Sequence, residues 1–179
     1  NPTISNSWFA GELYNTGAGT LTQIGGIVGY VNGTGSVIEN CLNSGTLGWT
    51  GNVDLSKWSN LESTYISGWA ANIGGLCGFI ESGKTISMTN CLNTGLVNAS
   101  NKYSASSVIG RNNGTLTLSN VYATTESHSK LIAQQGGSRT ADPVQVNAAD
   151  LTNSEASSNA LALVDTGNWV NANGMLIPK

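Results

Sequence analysis

Ile24-Gly25-Gly26-Ile27-Val28-Gly29-Tyr30-Val31 returns as Ile73-Gly74-Gly75-Leu76-Cys77-Gly78-Phe79-Ile80. Each copy is followed, 11 or 12 residues after its last glycine, by a second block: Asn40-Cys41-Leu42-Asn43-Ser44-Gly45-Thr46-Leu47 and Asn90-Cys91-Leu92-Asn93-Thr94-Gly95-Leu96-Val97. Two weaker copies bracket these. Asn6-Ser7-Trp8-Phe9-Ala10-Gly11-Glu12-Leu13 keeps the Asn-x-apolar-x-x-Gly-x-Leu skeleton, and Ser106-Ser107-Val108-Ile109-Gly110 precedes Asn120-Val121-Tyr122-Ala123-Thr124. A recurrence of this kind marks a supersecondary unit that buries its apolar face only against its neighbours.

The composition agrees with stacked, uncharged β structure. Only 9% of the 179 residues are charged and 39% are apolar, against roughly 25% charged in an average soluble domain. Solubility rests on Gly, Asn, Ser and Thr, just under half of the chain. Disordered chains are usually charge-rich and poor in aromatics, so the in-register apolar residues here indicate an ordered, mostly β chain. A net charge of −3 with seven scattered basic residues leaves no footprint for nucleic acid and no basic cluster for an anionic membrane. No apolar run reaches the ~18 residues of a membrane span, so no membrane insertion is expected. The opening Asn1-Pro2, with no Gly-Gly half before the first block, suggests a piece of a longer polypeptide.

Short β-branched stretches between Gly/Asn turns read as strands. The Gly-Gly-x-x-Gly segment reads as one strand. A second is centred on Ile4-Ser5, Ile38-Glu39, Met88-Thr89 and Leu118-Ser119, each with an apolar residue two before the asparagine. The asparagines at 6, 40, 90 and 120 fall 34, 50 and 30 residues apart. An insertion over about 48–72 accounts for the long middle spacing, after which the repeat resumes in phase. The expected fold is all-β: a repeat-built β-solenoid or β-roll of about three to four coils, with an aromatic-rich insertion and a C-terminal helix-plus-hairpin cap. The repeat domain covers 1–133. The loop, helix and hairpin of the cap cover 134–179. Past Gln134 the stretch from Gly136 to Pro143 reads as a loop. Thr152-x-x-Glu155 then resembles a capping box, opening a helix over Ala156, Ala160, Leu161 and Val164 that stops at Gly167. Trp169-Val170 and Met175-Leu176-Ile177 form a hairpin through Asn173-Gly174, covering an open strand edge.

The residues Gly26-Ile27-Val28-Gly29, Gly75-Leu76-Cys77-Gly78 and the degraded Ser107-Val108-Ile109-Gly110 resemble the GLUG motif, named for its Gly-Leu-x-Gly core. The following Asn-Cys-Leu-Asn-x-Gly blocks are similar to that family's Asn-Cys-Tyr-Asn-Thr-Gly pattern, and the tail resembles the helical ending of such regions. The resemblance covers about two thirds of the chain, and nearly all of it with the tail. It implies a β-solenoid or β-roll within a large secreted or cell-surface bacterial protein, adhesin-like or the non-catalytic region of an IgA-type metallopeptidase. It brings no catalytic residues.

Of the candidate chemistries, the cysteines come first. Cys41 and Cys91 share a repeat position, and Cys77 stands where Val28 does. An extracellular protein could pair them. Yet Val121 and Ser7 replace cysteine in the other copies, which fits a small buried residue. Stacked positions lie about 4.8 Å apart, near the lower limit for a disulfide, with side chains alongside each other. Three free, buried thiols are expected. No Cys-x-x-Cys pair exists and His128 is the only histidine, so no metal site is expected. The glycine segments lack the Gly-Lys-Ser/Thr of a phosphate loop and the Gly-x-Gly-x-x-Gly of a dinucleotide site. They suit tight turns or close packing instead. The repeated asparagines fit either an amide ladder or a turn at positive φ, with the ladder favoured. One histidine, ten carboxylates and no clustered acid pair leave little for acid/base catalysis. No cofactor and no enzymatic activity are therefore expected.

The insertion holds Trp49, Trp58, Tyr65 and Trp69, including three of the five tryptophans. Such rings suit a glycan or protein ligand, or else pack the insertion onto the flank of the repeats. The functional expectation is a non-catalytic structural or adhesive module, extracellular or on the cell surface and joined to flanking domains. The alternatives are a carbohydrate-binding module using these aromatics, or an accessory region of a secreted peptidase.

Overall fold

The computed structural model describes residues 1–15, 22–49, 71–99 and 104–179. The first repeat runs through strands β1 (Thr3–Ser5), β2 (Trp8–Phe9), β3 (Glu12–Asn15), β4 (Thr22–Gly25) and β5 (Val28–Val31). The second follows as β6 (Ser36–Glu39), β7 (Leu42–Asn43), β8 (Thr46–Trp49), β9 (Ala71–Gly74) and β10 (Cys77–Ile80). The third comprises β11 (Thr85–Asn93), β12 (Val97–Asn98), β13 (Ser104–Ser106) and β14 (Ile109–Asn112). Then come β15 (Thr115–Thr124), β16 (Ile132–Gln135), β17 (Ser138–Arg139) and β18 (Val144–Val146). A tail holds helix α1 (Ala162–Asp165) and the strands β19 (Trp169–Ala172) and β20 (Met175–Pro178).

Equivalent strands of successive repeats pair parallel and in register. The orders are β1-β6-β11-β15, β5-β10-β14-β16, β3-β8-β12 and β4-β9-β13. The fold is therefore mostly β, built on curled parallel sheet. Register makes the repeat a set of columns. Ile4, Ile38, Met88 and Leu118 are successive partners, as are Val28, Cys77, Ile109 and Ile132. Ile27, Leu76 and Val108 follow one another through N–H to carbonyl bonds of 3.2 and 3.0 Å. All three columns meet in one apolar core, in which Leu76, Cys77, Met88, Val108 and Ile109 are fully buried. The expected equivalences hold.

The glycine segment is a corner rather than a single strand. β4 ends at Gly25 and β5 starts at Val28, and the same break separates β9 from β10. A side chain at Gly74 would collide with the Cys77 carbonyl across the bend, and one at Gly75 with the Ser107 carbonyl of the next repeat. Glycine thus permits both the sharp corner and the close approach of its neighbour.

Three further expectations need correction. Strands reach two residues into each side of the inferred insertion, since Gly48 and Trp49 belong to β8 and Ala71 and Asn72 to β9. The segment after Gln134 is not simply a loop. β17 and β18 both continue the parallel pairing along β15. Nor does a helix run from Ala156: α1 spans four residues, after a 3-10 turn at Ala148–Asp150. Local polar side chains capture the backbone instead. Asn153 Oδ1 accepts the Glu155 N–H, Asn159 Oδ1 accepts the Leu161 N–H, and Ser158 Oγ donates to the Gln145 carbonyl.

The expected hairpin is present. β19 and β20 pair antiparallel, and Asn173 and Gly174 both have positive φ, 55° and 86°, as a two-residue hairpin turn requires. Tail residues Leu163, Trp169 and Leu176 share a buried cluster with Leu42, Leu92 and Tyr122 of three successive repeats. The tail therefore packs along the flank of the sheet. Among the described residues no helix is long and apolar enough to cross a membrane.

Candidate functional site: the asparagine and cysteine columns

The asparagine that opens each second block does two things at once. Asn6, Asn40, Asn90 and Asn120 all take left-handed backbone conformations, with φ of 47°, 52°, 53° and 51°. Asparagine tolerates this region better than other residues with a Cβ. Its side chain also links repeats. Asn90 Nδ2 donates to Asn40 Oδ1 at 3.2 Å, and Asn120 Nδ2 donates to Asn90 Oδ1 at 3.0 Å. The ladder and the positive-φ turn, alternatives in the sequence, coexist.

A second asparagine column was missed. Asn43 and Asn93 are fully buried, and Asn43 Nδ2 donates to Asn93 Oδ1 at 2.7 Å. Each side-chain oxygen also accepts the N–H of the glycine two residues on, at 3.0 Å for Gly45 and 3.2 Å for Gly95. Asn93 Nδ2 continues the chain to Ser127 Oγ at 2.6 Å and the Ser107 carbonyl at 2.8 Å. The signal was the Asn-x-Gly spelling of Asn43-Ser44-Gly45 and Asn93-Thr94-Gly95, the signature of an Asx turn. A buried amide with all its groups bonded is stabilising, whereas an unbonded one would be costly.

Between the two asparagine columns stand Cys41 and Cys91, while Cys77 belongs to the column of Val28 and Ile109. Cys41, Cys77 and Cys91 are free and buried, as expected. Cys41 Sγ lies 3.2 Å from the Glu39 carbonyl and Cys91 Sγ 3.3 Å from that of Thr89. Val121 pairs with Cys91 in the next repeat, so the column is a line of small apolar groups. A hydrogen bond from the Cys91 thiol draws Cys41 down to about 7, while burial pushes Cys91 well above the ordinary thiol value. Cys41 is thus the member of the pair that ionises first. Burial pushes Cys77 up to about 12.

Other reactive groups lie apart. His128 Nδ1 accepts the Lys130 N–H at 3.1 Å. Burial, followed by the Lys130 charge, lowers its pKa, which keeps the ring neutral at pH 7. Among the described residues no group of three or more His, Cys, Asp or Glu is placed to hold a metal. Of the four insertion aromatics, Trp58, Tyr65 and Trp69 lie outside the described residues. Trp49 is placed only by its backbone, paired with Asn15 at the end of β8. On the described surface Tyr30 stacks on Phe79, with ring centres 5.4 Å apart and an 11° tilt. Arg111 lies 5.9 Å from the Phe79 ring centre, and these three are register partners.

Compared with protein-family models, with curated proteins and with solved structures, the chain matches none.

Proposed function

We propose that the chain is a non-catalytic β-solenoid module that acts as a stiff spacer or adhesive surface on the exterior of a bacterial cell, as part of a larger protein. The observation that carries this reading is the in-register pairing of chemically equivalent residues across repeats, Ile4 to Leu118 in the core and Asn40 to Asn120 at its rim. Each coil hands its backbone hydrogen bonds, an apolar column and an amide ladder to the next. Stability then accumulates through nearest-neighbour interfaces. The polar atoms brought together are amides, thiols and carbonyls that satisfy one another, an arrangement suited to holding shape. The GLUG-like motifs support the surface location.

The test is mechanical. Pulled between Asn1 and Lys179, the chain should resist unfolding at loads that unfold a helical bundle of equal length, and lengthen in repeat-sized steps. Unfolding more easily than the bundle would remove the load-bearing role.

A second reading is glycan or host-protein recognition by the insertion. It is favoured by the placement of Trp49 beside Asn15 and of the half-exposed Tyr14 beside Gly48, at the root of the segment that carries Trp58, Tyr65 and Trp69. Retention on a glycan or host-protein array that is lost in the double variant Trp58→Ala/Trp69→Ala, with stability unchanged, would support it. An array on which the unaltered chain is not retained would overturn it.

A further inference from the structure

The second repeat is covered on one side by the first, and the way it is covered is specific. Leu42 N donates to the Ser7 carbonyl at 2.9 Å, Ser44 N to the Phe9 carbonyl at 2.8 Å and Thr46 N to the Gly11 carbonyl at 2.9 Å. Ile4 sits on Ile38, and Val28 on Cys77. The first repeat presents the same surface in its turn, and among the described residues no strand pairs with it. β1, β2, β3, β4 and β5 are each the last strand of their rows. By the alternation of a parallel ladder, the N–H groups of Trp8 and Ala10, equivalent to those of Leu42 and Ser44, face outward from this edge.

The side chains agree. Ile4, Ile27 and Val28 are only partly buried at the heads of columns whose next members, Ile38, Leu76 and Cys77, are buried. Trp8 and Leu13 are 49% and 43% exposed, whereas their partners Leu42 and Leu47 are buried. An apolar cavity of about 200 Å³, lined by Pro2, Ile4, Val28, Tyr30, Val31 and Ile38, lies at the same end. Asn6 keeps the φ of the ladder asparagines and is exposed. Charge is nearly absent: Glu12 is the only ionisable side chain besides Tyr14 and Tyr30 in these five strands.

We infer that this edge is a docking surface for one further repeat of the same pattern, added parallel and in register. Its asparagine would lie over Asn6, and its apolar residue two positions earlier over Ile4. Equivalent surfaces accept equivalent partners, and the contact already made by the first repeat on the second defines the partner's chemistry. An uncharged edge with outward N–H groups and apolar column heads otherwise templates non-specific strand pairing. The inference rests on the stacked-repeat reading proposed above.

The test compares the full chain with one that carries residues 1–34 once more ahead of Asn1, the spacing from Asn6 to Asn40. A Trp8→Phe change in the added copy makes its peptides distinguishable. Hydrogen exchange is read by mass spectrometry. Amides of the original Trp8–Glu12 segment should exchange at least tenfold more slowly in the extended chain. A control whose added copy carries Ile4→Lys and Asn6→Pro should show no such slowing. Unchanged exchange at Trp8–Glu12, or an extended chain that dimerises through this edge in place of folding onto it, overturns the inference. Amides of β10 and β11 report separately. If they are protected in both chains, the stacked-repeat reading stands whatever the added copy does. If they exchange freely in the unaltered chain, that reading fails first.

Discussion

Asn90 donates its side-chain amide to Asn40 at 3.2 Å across 50 residues of sequence, and accepts the corresponding bond from Asn120 at 3.0 Å. One residue thus holds three repeats together at their rim while its backbone sits at φ 53°. Asn90→Ala removes both bonds and places an alanine in the left-handed region. The expected cost is about 3–4 kcal/mol, from roughly 1 kcal/mol for each of the two hydrogen bonds and 1–2 for the backbone. Asn90→Gly restores the backbone freedom but not the bonds, and should recover about half. Urea unfolding of the two variants separates the contributions.

Gly75 and Gly83 make a matched pair. A Cβ at Gly75 would overlap the Ser107 carbonyl and the Asn93 side chain, whereas one at Gly83 meets nothing within 4 Å but has φ of 73°. Gly75→Ala should cost about 3 kcal/mol or more, as overpacking against backbone does. Gly83→Ala should cost about 1–2 kcal/mol from conformation alone. Equal losses in thermal unfolding would show that Gly75 serves only its own turn.

The cysteine column should behave as packing. Thiol titration in denaturant without reductant should find three free thiols. Cys91→Val copies the residue that stands beside it as Val121, and a swap that nearly conserves volume should cost under about 1.5 kcal/mol. A count of one thiol would establish a disulfide and contradict the column.

Alkaline pH should weaken the fold through Cys77. Its folded-state value is raised to about 12 from an ordinary 9.0 by burial, so the unfolded state loses its proton first. The stabilisation is complete below pH 9 and is lost as pH rises from 9 towards 12. At pH 10.5 the loss should be about 1–2 kcal/mol, at ~1.4 kcal/mol per pKa unit. Cys77→Val, which copies Val28, should remove this part of the pH dependence. An unchanged slope of stability against pH between 9 and 11 would exclude Cys77 as its source.

The repeat was readable because it joins local and distant information in one pattern. Ile38 and Met88 are 50 residues apart, yet each precedes its asparagine by two, and that offset alone predicts that they pair. The glycine corner reads as part of a strand because it lies within a short apolar stretch with β-branched residues, between Gly/Asn turns. The bend at Gly26 and Gly75 depends on the backbone of the next repeat, which no local window contains. The buried Asn43–Asn93 bond escaped for a similar reason: Asn-x-Gly announces a turn, but its burial is decided by the repeats on either side. In the tail, Thr152 and Glu155 carry the pattern of a cap. Asn153 and Asn159 nevertheless bond the backbone locally, Ser158 ties the segment to Gln145, and the helix is confined to Ala162–Asp165. Of the insertion aromatics, readable only as composition, Trp58, Tyr65 and Trp69 belong to residues outside those described.

The three chain segments that leave β3, β8 and β12 differ in length, yet all lead to strands of one row, β4, β9 and β13, in unbroken register. Residues 16–21, 50–70 and 99–103 therefore join the same two rows, whatever their number. Doubling a connection of this kind costs only about 0.6 kcal/mol in closure entropy. This junction is accordingly the natural place to try a graft: a foreign cassette placed between Trp49 and Ala71 would enter and leave through strands whose register the neighbouring repeats also set.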